Sequence, residues 1–473
     1  MFKNRKKPDI LNGKIIPTLF ILGWPVMIES VLQIGYSLAD TYWLGNMGPE
    51  AGRDALAATQ VSWPLVWLMV SVGGGFGVAT ISLISQHTGA GQYGEAENYA
   101  GQMLFFALIF SSFVAIIGYI FTPYMLDAIL LDSPDVAAQG TVFMRTIFLS
   151  QPFLFVFMAF AFIMRASGDT LTPMIITSIS VGANIVLDPL FIYGIGPFPE
   201  WGIFGAAFAT LITKAVAAFI AIYLLFGNKV GINIGLKNLR PDKKRLKKLF
   251  KIGTPASIGN SGTAFGFVIL AFIIARVQSS EAALAAYNAG DRVLGVMFIL
   301  MGGLAIAMST MIGQNLGAEK KERAEEVVKK GIVTLALVMA ICAATIFFLS
   351  RQFIILFNQD PEVIRLGTDF LLIFSLSMPF FGLFRAANAV FEGSGHTKYM
   401  MWLDILRLWG LRVPLCFIFG LYLGMQARGV WLGMSLSNII SACVALVVLF
   451  TGKWKEKVID DSDKIIPSIP KRV

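Results

Sequence analysis

Charge is scarce in this sequence. Only 14% of its 473 residues are Asp, Glu, Lys or Arg, against about 25% in a typical water-soluble domain. With 56% apolar residues and a mean hydropathy of +0.71, such a chain cannot keep its surface wetted. Histidine (2) and cysteine (3) are nearly absent. Cys342, Cys416 and Cys443 each fall in an apolar run, an odd number without ligand spacing, which argues against a disulfide framework or a metal site. No GxxxxGK[ST], HExxH or GxSxG pattern occurs, and no loop is long enough for an ATPase domain. The chain therefore does not read as an enzyme, no cofactor is expected, and any transport has to run on an ion gradient.

What fills the sequence instead is a series of apolar runs of roughly 22–30 residues, the length a helix needs to cross a ~30 Å hydrocarbon core. The pattern predicts an all-α membrane protein with twelve transmembrane helices, near 16–44, 56–84, 98–122, 140–163, 170–193, 203–227, 250–276, 284–313, 329–350, 368–391, 399–423 and 430–452. The first run is too long for a signal-peptide core and is expected to be retained. The net charge of +9 is then a topology signal rather than a nucleic-acid footprint. Lys and Arg gather at the termini and in the even-numbered loops, while the odd-numbered loops hold Arg53, Arg276, Arg351, Arg365 and Arg428. Both termini are expected in the cytoplasm of a multi-pass protein of the cell membrane. The longest connector, 228–251, carries NLRPDKKRLKKLFK. It reads as a basic amphipathic helix along the inner membrane surface or as a plain anchor and linker.

The halves of the sequence resemble each other. LFILGWP (19–25) answers to LFKIGTP (249–255), DALAATQ (54–60) to AALAAYN (282–288), and SQHTGAGQYGEAE (85–97) to GQNLGAEKKERAEE (313–326). RASGDT (165–170) answers to EGSGHT (392–397), DPLFIYG (188–194) to VPLCFIFG (413–420), and GIFGAA (202–207) to GVWLGM (429–434). An ordered set of this kind marks duplication. Six spans per half is an even number, so the fold expected is two six-helix bundles related by a parallel pseudo-two-fold repeat, with substrate handled between them. The domain boundaries expected are 1–228 for an N-terminal lobe, 229–249 for a cytoplasmic basic linker, 250–452 for a C-terminal lobe and 453–473 for a cytoplasmic tail.

Charges inside the spans are few, and an intramembrane acid is a functional candidate by default. At ~1.5 Å per helical residue, Asp40, Asn184, Asp188 and Thr210 come to one level of the N-terminal lobe. Two carboxylates with an amide and a hydroxyl suit a cation: oxygen ligands fit Na⁺, and a close acid pair can hold a proton. Asn184 and Asp188 are one turn apart, and Pro189 invites a bend that frees carbonyls. The competing reading makes Asp188 a helix-end cap. Glu29 and Lys214 fall near mid-membrane as a switchable or a fixed ion pair. Asp291–Arg292 and Asp404–Arg407 read as structural pairs. Tyr36, Trp43, Trp63, Trp67, Phe153, Phe155 and Phe157 are candidates for an aromatic lining.

LADTYWLG in span 1, NIVLDPLFIYGIGP in span 5, GIFGAAFAT in span 6, SGDT with its echo SGHT, and QNLGA after span 8 together resemble the multidrug and toxic compound extrusion family over about residues 14–452. The resemblance implies efflux of organic cations or other small amphiphilic, drug-like compounds in exchange for H⁺ or Na⁺. The partners expected are those compounds and the lipid bilayer, with no nucleic acid, and the protein is expected to be a monomer. It places the cation site, with Na⁺ as a candidate ion, on Asp40, Asn184 and Asp188, with Thr210 beside them. It places polar cavity lining on Gln33 and Tyr36; Glu29, Lys214 and Trp43 are further cavity candidates. In spans 7 and 10, where some branches carry coupling acids, the stretches NSGTAFGFVILAFIIAR and FLLIFSLSMPFFGLFRAANAV contain none here. The alternative is a lipid or lipid-linked oligosaccharide flippase of the same superfamily, for which a strongly cationic centre is expected.

Overall fold

The computed structural model describes residues 8–129 and 134–459. The apolar runs form helices: α1 (Ile15–Gly45), α2 (Pro49–Gly89), α3 (Tyr93–Ile129), α4 (Pro134–Ala166), α5 (Leu171–Ile192), α6 (Gly202–Phe226), α7 (Lys243–Ile274), α8 (Ser280–Gly317) and α9 (Lys321–Ile355). They continue as α10 (Pro361–Ser375), α11 (Met378–Ser394), α12 (Thr397–Ile405), α13 (Val413–Phe417) and α14 (Gln426–Phe450). No strand occurs among the described residues. Among the described residues, eleven stretches are long and apolar enough to cross a membrane, α12 and α13 together forming one of them, Thr397–Tyr422. The pair α10–α11 makes a twelfth, bent by 52°. The protein is an all-α membrane protein.

Two local expectations are corrected. The tenth span is not one straight helix over 368–391. It breaks at Leu376–Ser377, just before Pro379 in the first turn of α11, a residue that has no N–H to offer the preceding turn. The connector 228–251 is not an interfacial helix. Apart from one 3₁₀ turn at Leu236–Leu239, the backbone is irregular up to Asp242, and the basic run from Lys243 opens α7 itself. Gln102 of α3 pins this connector: its Nε2 donates to the carbonyls of Asn238 (2.9 Å) and Arg240 (2.8 Å), and its Oε1 accepts from the Asp242 N–H (2.9 Å).

The chain packs as two compact units. Among the described residues, one holds Ile28–Gly73 and Tyr93–Leu249, and the other holds Pro8–Met27, Gly74–Gln92 and 250–459. Their border at 249/250 lies close to the expected end of the linker, but α1 and α2 are each divided between the units. In the first unit α4 packs on α3 and α6, and α5 on α6. In the second, α8 packs on α9, α10 and α11, and Trp431 of α14 is fully buried against Phe370 (ring centroids 4.6 Å) and Tyr287 (6.1 Å). Residues 460–473 of the expected tail lie outside the described residues.

The sequence repeat reappears as repeated geometry. Gly168 of RASGDT and Gly395 of EGSGHT both adopt left-handed φ, +83° and +80°, which side chains resist. Within the second unit, α2 and α8 cross at their ends through a reciprocal pair. A Cβ on Gly89 would lie 1.9 Å from the Gln314 carbonyl oxygen, and one on Gly317 would lie 1.9 Å from that of Gln86. Gly89 and Gly317, like Gln86 and Gln314, are equivalent positions of the repeat, so the contact has local two-fold character.

Candidate functional site: a buried acid pair in the first unit

Asp169 accepts from the Thr172 N–H (3.0 Å) and hydroxyl (2.7 Å), starting α5 in a fixed direction. Further along that helix, Asn184 and Asp188 are both fully buried. The one-turn spacing does what the sequence suggests: Asn184 Nδ2 donates to Asp188 Oδ1 at 3.1 Å. Asp188 therefore does not cap a helix end. Nor does Pro189 break α5, which runs on to Ile192.

From α1, Asp40 reaches the Asp188 carboxyl closely enough for a shared hydrogen bond. One turn earlier, the Tyr36 hydroxyl is 2.6 Å from that of Thr210 on α6. Lys214, one turn beyond Thr210 and half-buried, supplies the positive charge that Asp40 feels. All four residues expected at one level thus come together, with Tyr36 and Lys214. Three oxygens in this group, Asp40 Oδ1, Asn184 Oδ1 and Asp188 Oδ2, are buried without a hydrogen-bond partner. Buried oxygens are rarely left so, and each such acceptor costs about 1–3 kcal/mol. Orphan acceptors on three neighbouring side chains are a donor set for a hard cation or a proton.

The other expected residues are distributed differently. Glu29 does not pair with Lys214. It is buried against Arg165 of α4, Oε2 to Nη2 at 2.5 Å, and accepts from the Thr177 hydroxyl at 3.3 Å. Arg165 lies just past the predicted end of span 4 and was missed for that reason. Its place in the repeat, opposite Glu392, was the available signal. Gln33 is exposed. Trp43 belongs to a small apolar cluster with Leu44, Ile192 and Ile203, and its carbonyl accepts from the Tyr193 hydroxyl at 2.6 Å. Phe155 is buried beside Phe110, Phe153 packs on Phe219, and Phe157 on Phe160. Trp67 is 55% exposed, and the side chain of Trp63 lies outside the described residues. In the second unit, Asp404 is bonded by Asn388 (3.1 Å) and not by Arg407, while Asp291 and Arg292, both exposed, form no ion pair among the described residues.

The MatE family model matches this chain twice, over residues 25–190 and 255–418, once in each half of the repeat. The chain is 26% identical over 470 residues to a probable multidrug resistance protein, NorM, of Thermotoga maritima, covering 98% of both. It is 27% identical over 459 residues to a probable multidrug resistance protein, YoeA, of Bacillus subtilis, covering 96% of both. Among solved structures, a MOP superfamily transporter from Pyrococcus furiosus matches with a TM-score of 0.86 at 24% identity, over 96% of this chain and 100% of that one. That likeness shows the fold.

Proposed function

The chain belongs to the MatE family of membrane transporters, and from that premise we propose that it is a secondary active antiporter of the cell membrane, expelling organic, often cationic, amphiphilic compounds in exchange for H⁺ or Na⁺. It works as a monomer with both termini in the cytoplasm. The observation that carries the coupling is the trio of orphan oxygens on Asp40, Asn184 and Asp188. Two adjacent buried carboxylates repel each other, and a proton or Na⁺ relieves the repulsion by occupying the space between them. Lys214 offers Asp40 a rival positive charge from α6, so the acid pair exchanges one cation for another instead of holding either permanently. Because Asp40 is on α1, Asp188 on α5 and Lys214 on α6, the occupant of the pair biases how these helices pack. Such a bias drives transport only through different affinities in the two states of the carrier.

The test is efflux of a fluorescent cation from proteoliposomes under separately imposed H⁺ and Na⁺ gradients. One gradient drives wild-type efflux, and Asp40→Asn, still folded, loses that drive. Wild-type rates in Asp40→Asn would overturn the coupling role.

A further inference from the structure

The second unit has a basic cavity at the level where two of its spans begin. Its volume is about 340 Å³, and it is lined by residues 12–17, which lead into α1, and by Arg323, Glu326 and Lys330 of α9. Lys14 is the last charge on its segment before Glu29, and Lys330 is the last on α9 before Arg351. Beyond these two lysines both helices turn apolar side chains outward: Ile16, Phe20 and Trp24 on α1, and Val333, Leu337 and Ile341 on α9, are all exposed. The cavity therefore lies where lipid headgroups meet hydrocarbon, with bases on its polar side and lipid-facing residues on the other.

The charges of the lining do not cancel. Arg323 donates to the backbone carbonyls of Ile10 (3.4 Å) and Gly13, which are neutral. The Lys14 ammonium forms no hydrogen bond or ion pair among the described residues. Lys330 meets Glu326 at 2.6 Å in a one-turn pair exposed on both sides, and such pairs are weak. The flanking acids are taken up elsewhere: Glu319 pairs with Lys457 (2.8 Å), Glu325 with Lys455 (2.7 Å), and Asp9 accepts from the Asn12 N–H (2.9 Å). Three bases against one acid leave two positive charges uncompensated.

The repeat shows what can fill such a place. In the register that pairs Gly89 with Gly317, Arg323 corresponds to Glu95 and Lys330 to Gln102. In the first unit the chain itself closes these positions. Glu95 binds Arg245 (2.9 Å), and Gln102 holds the connector at Asn238, Arg240 and Asp242. In the second unit the segment before α1 takes the connector's part, fastened by Lys320 to the Leu11 carbonyl (3.2 Å) and to Asn12 (2.7 Å), and by Arg323. Lys330 makes no bond to that segment among the described residues. The space that Gln102 closes in one unit is open in the other, and it is positive.

We propose that this cavity binds the phosphodiester of an anionic phospholipid, with Lys14, Arg323 and Lys330 around the phosphate and the exposed faces of α1 and α9 receiving the acyl chains. Basic pockets between spans suit anionic headgroups. A zwitterionic headgroup brings its own ammonium into the same positive field and is disfavoured. Free phosphate meets the charges but leaves the apolar faces unused. The bound lipid bridges the start of α1 to α9, the part that Gln102 plays for the connector and α3. The assignment goes beyond the transport reading and rests on it only for the leaflet, the inner one, which follows from cytoplasmic termini.

Delipidated full-length protein in detergent is titrated with phosphatidylglycerol and with phosphatidylcholine of the same acyl chains, and the first bound lipid is counted by native mass spectrometry. Each Lys or Arg near an anionic group multiplies affinity by about fivefold, so the wild type prefers phosphatidylglycerol by on the order of tenfold or more. Lys14→Gln/Lys330→Gln loses most of that preference; both side chains are exposed, and a monodisperse elution profile checks the fold. Lys243→Gln/Lys247→Gln, the same charge change on the basic run of α7, keeps it. Equal wild-type affinities for the two lipids overturn the assignment, a comparison that needs no variant. So does a preference that survives Lys14→Gln/Lys330→Gln or falls as far in the α7 control, and so does displacement of the lipid by millimolar inorganic phosphate. Binding in detergent involves no gradient, so failure of the antiport reading leaves the lipid preference intact. Labelling of Lys14→Cys by a membrane-impermeant thiol reagent in intact cells would overturn the leaflet alone.

Discussion

Removing Arg165 separates a structural from a functional role for Glu29. The two side chains are 6% and 9% exposed and meet at 2.5 Å, so neither charge has water to fall back on. Breaking a buried pair by deleting one partner costs about 3–5 kcal/mol, whereas replacing both with apolar groups of similar volume is close to neutral. Arg165→Met leaves the carboxylate with only the Thr177 hydroxyl, 3.3 Å away. With roughly 2–4 °C per kcal/mol for a unit of this size, the melting midpoint drops by on the order of 10 °C. The double variant Glu29→Leu/Arg165→Met recovers most of that loss, giving a coupling energy of about 2 kcal/mol or more. Fluorescence-detected size-exclusion chromatography after a heating series reads all three proteins. Dye efflux by the double variant then reports whether Glu29 touches cargo; a purely structural pair leaves the order of substrate preference as in wild type. If Arg165→Met melts within a degree of wild type, or if the double variant loses the sum of both single effects, burial of this pair is not what holds α1 to α4.

Three further substitutions have defined outcomes. Gly89→Ala places a methyl group 1.9 Å from the Gln314 carbonyl oxygen, on backbone that cannot yield as a side chain would, so the yield of monodisperse protein collapses, and Gly317→Ala does the same. Asp360→Ala removes the cap that accepts from the N–H groups of Glu362 (2.7 Å) and Val363 (3.1 Å), lowering stability by about 1 kcal/mol in a thermal melt. Tyr36→Phe deletes the 2.6 Å bond to Thr210, with a loss of about 1 kcal/mol and a changed cation concentration for half-maximal efflux.

Much of this was legible in the sequence because the bilayer imposes lengths. Runs of apolar residues locate the spans, and depth counting along α1, α5 and α6 brought Asp40, Asn184, Asp188 and Thr210 to one level without knowledge of which helices touch. Depth alone could not choose partners. It put Glu29 and Lys214 at one height, but the packing of α4 sets Arg165 against Glu29, a contact between residues 136 apart in sequence. Hydropathy was also blind to the bend at Leu376–Ser377, since FSLSMPFF is as apolar through the break as beside it; Pro379 was the only local sign. The π-helical turns after Ile405 left no trace in composition, so Arg407 read as the partner of Asp404 one α-turn away.

The reciprocal crossing of Gly89 and Gly317 has an evolutionary consequence. A single ancestral copy associating about a two-fold axis would have met itself there, each glycine against the other's neighbour, and every change on that axis would have struck both partners at once. Fusion into one gene removed that constraint. The axis residues could stay alike while positions away from it diverged separately, and this is how Arg165 and Glu392 come to occupy one ancestral position with opposite charge. Two identical subunits could never have done so: a homodimer is bound to equal charge on both sides, whereas two copies within one chain can be acidic in one half and basic in the other.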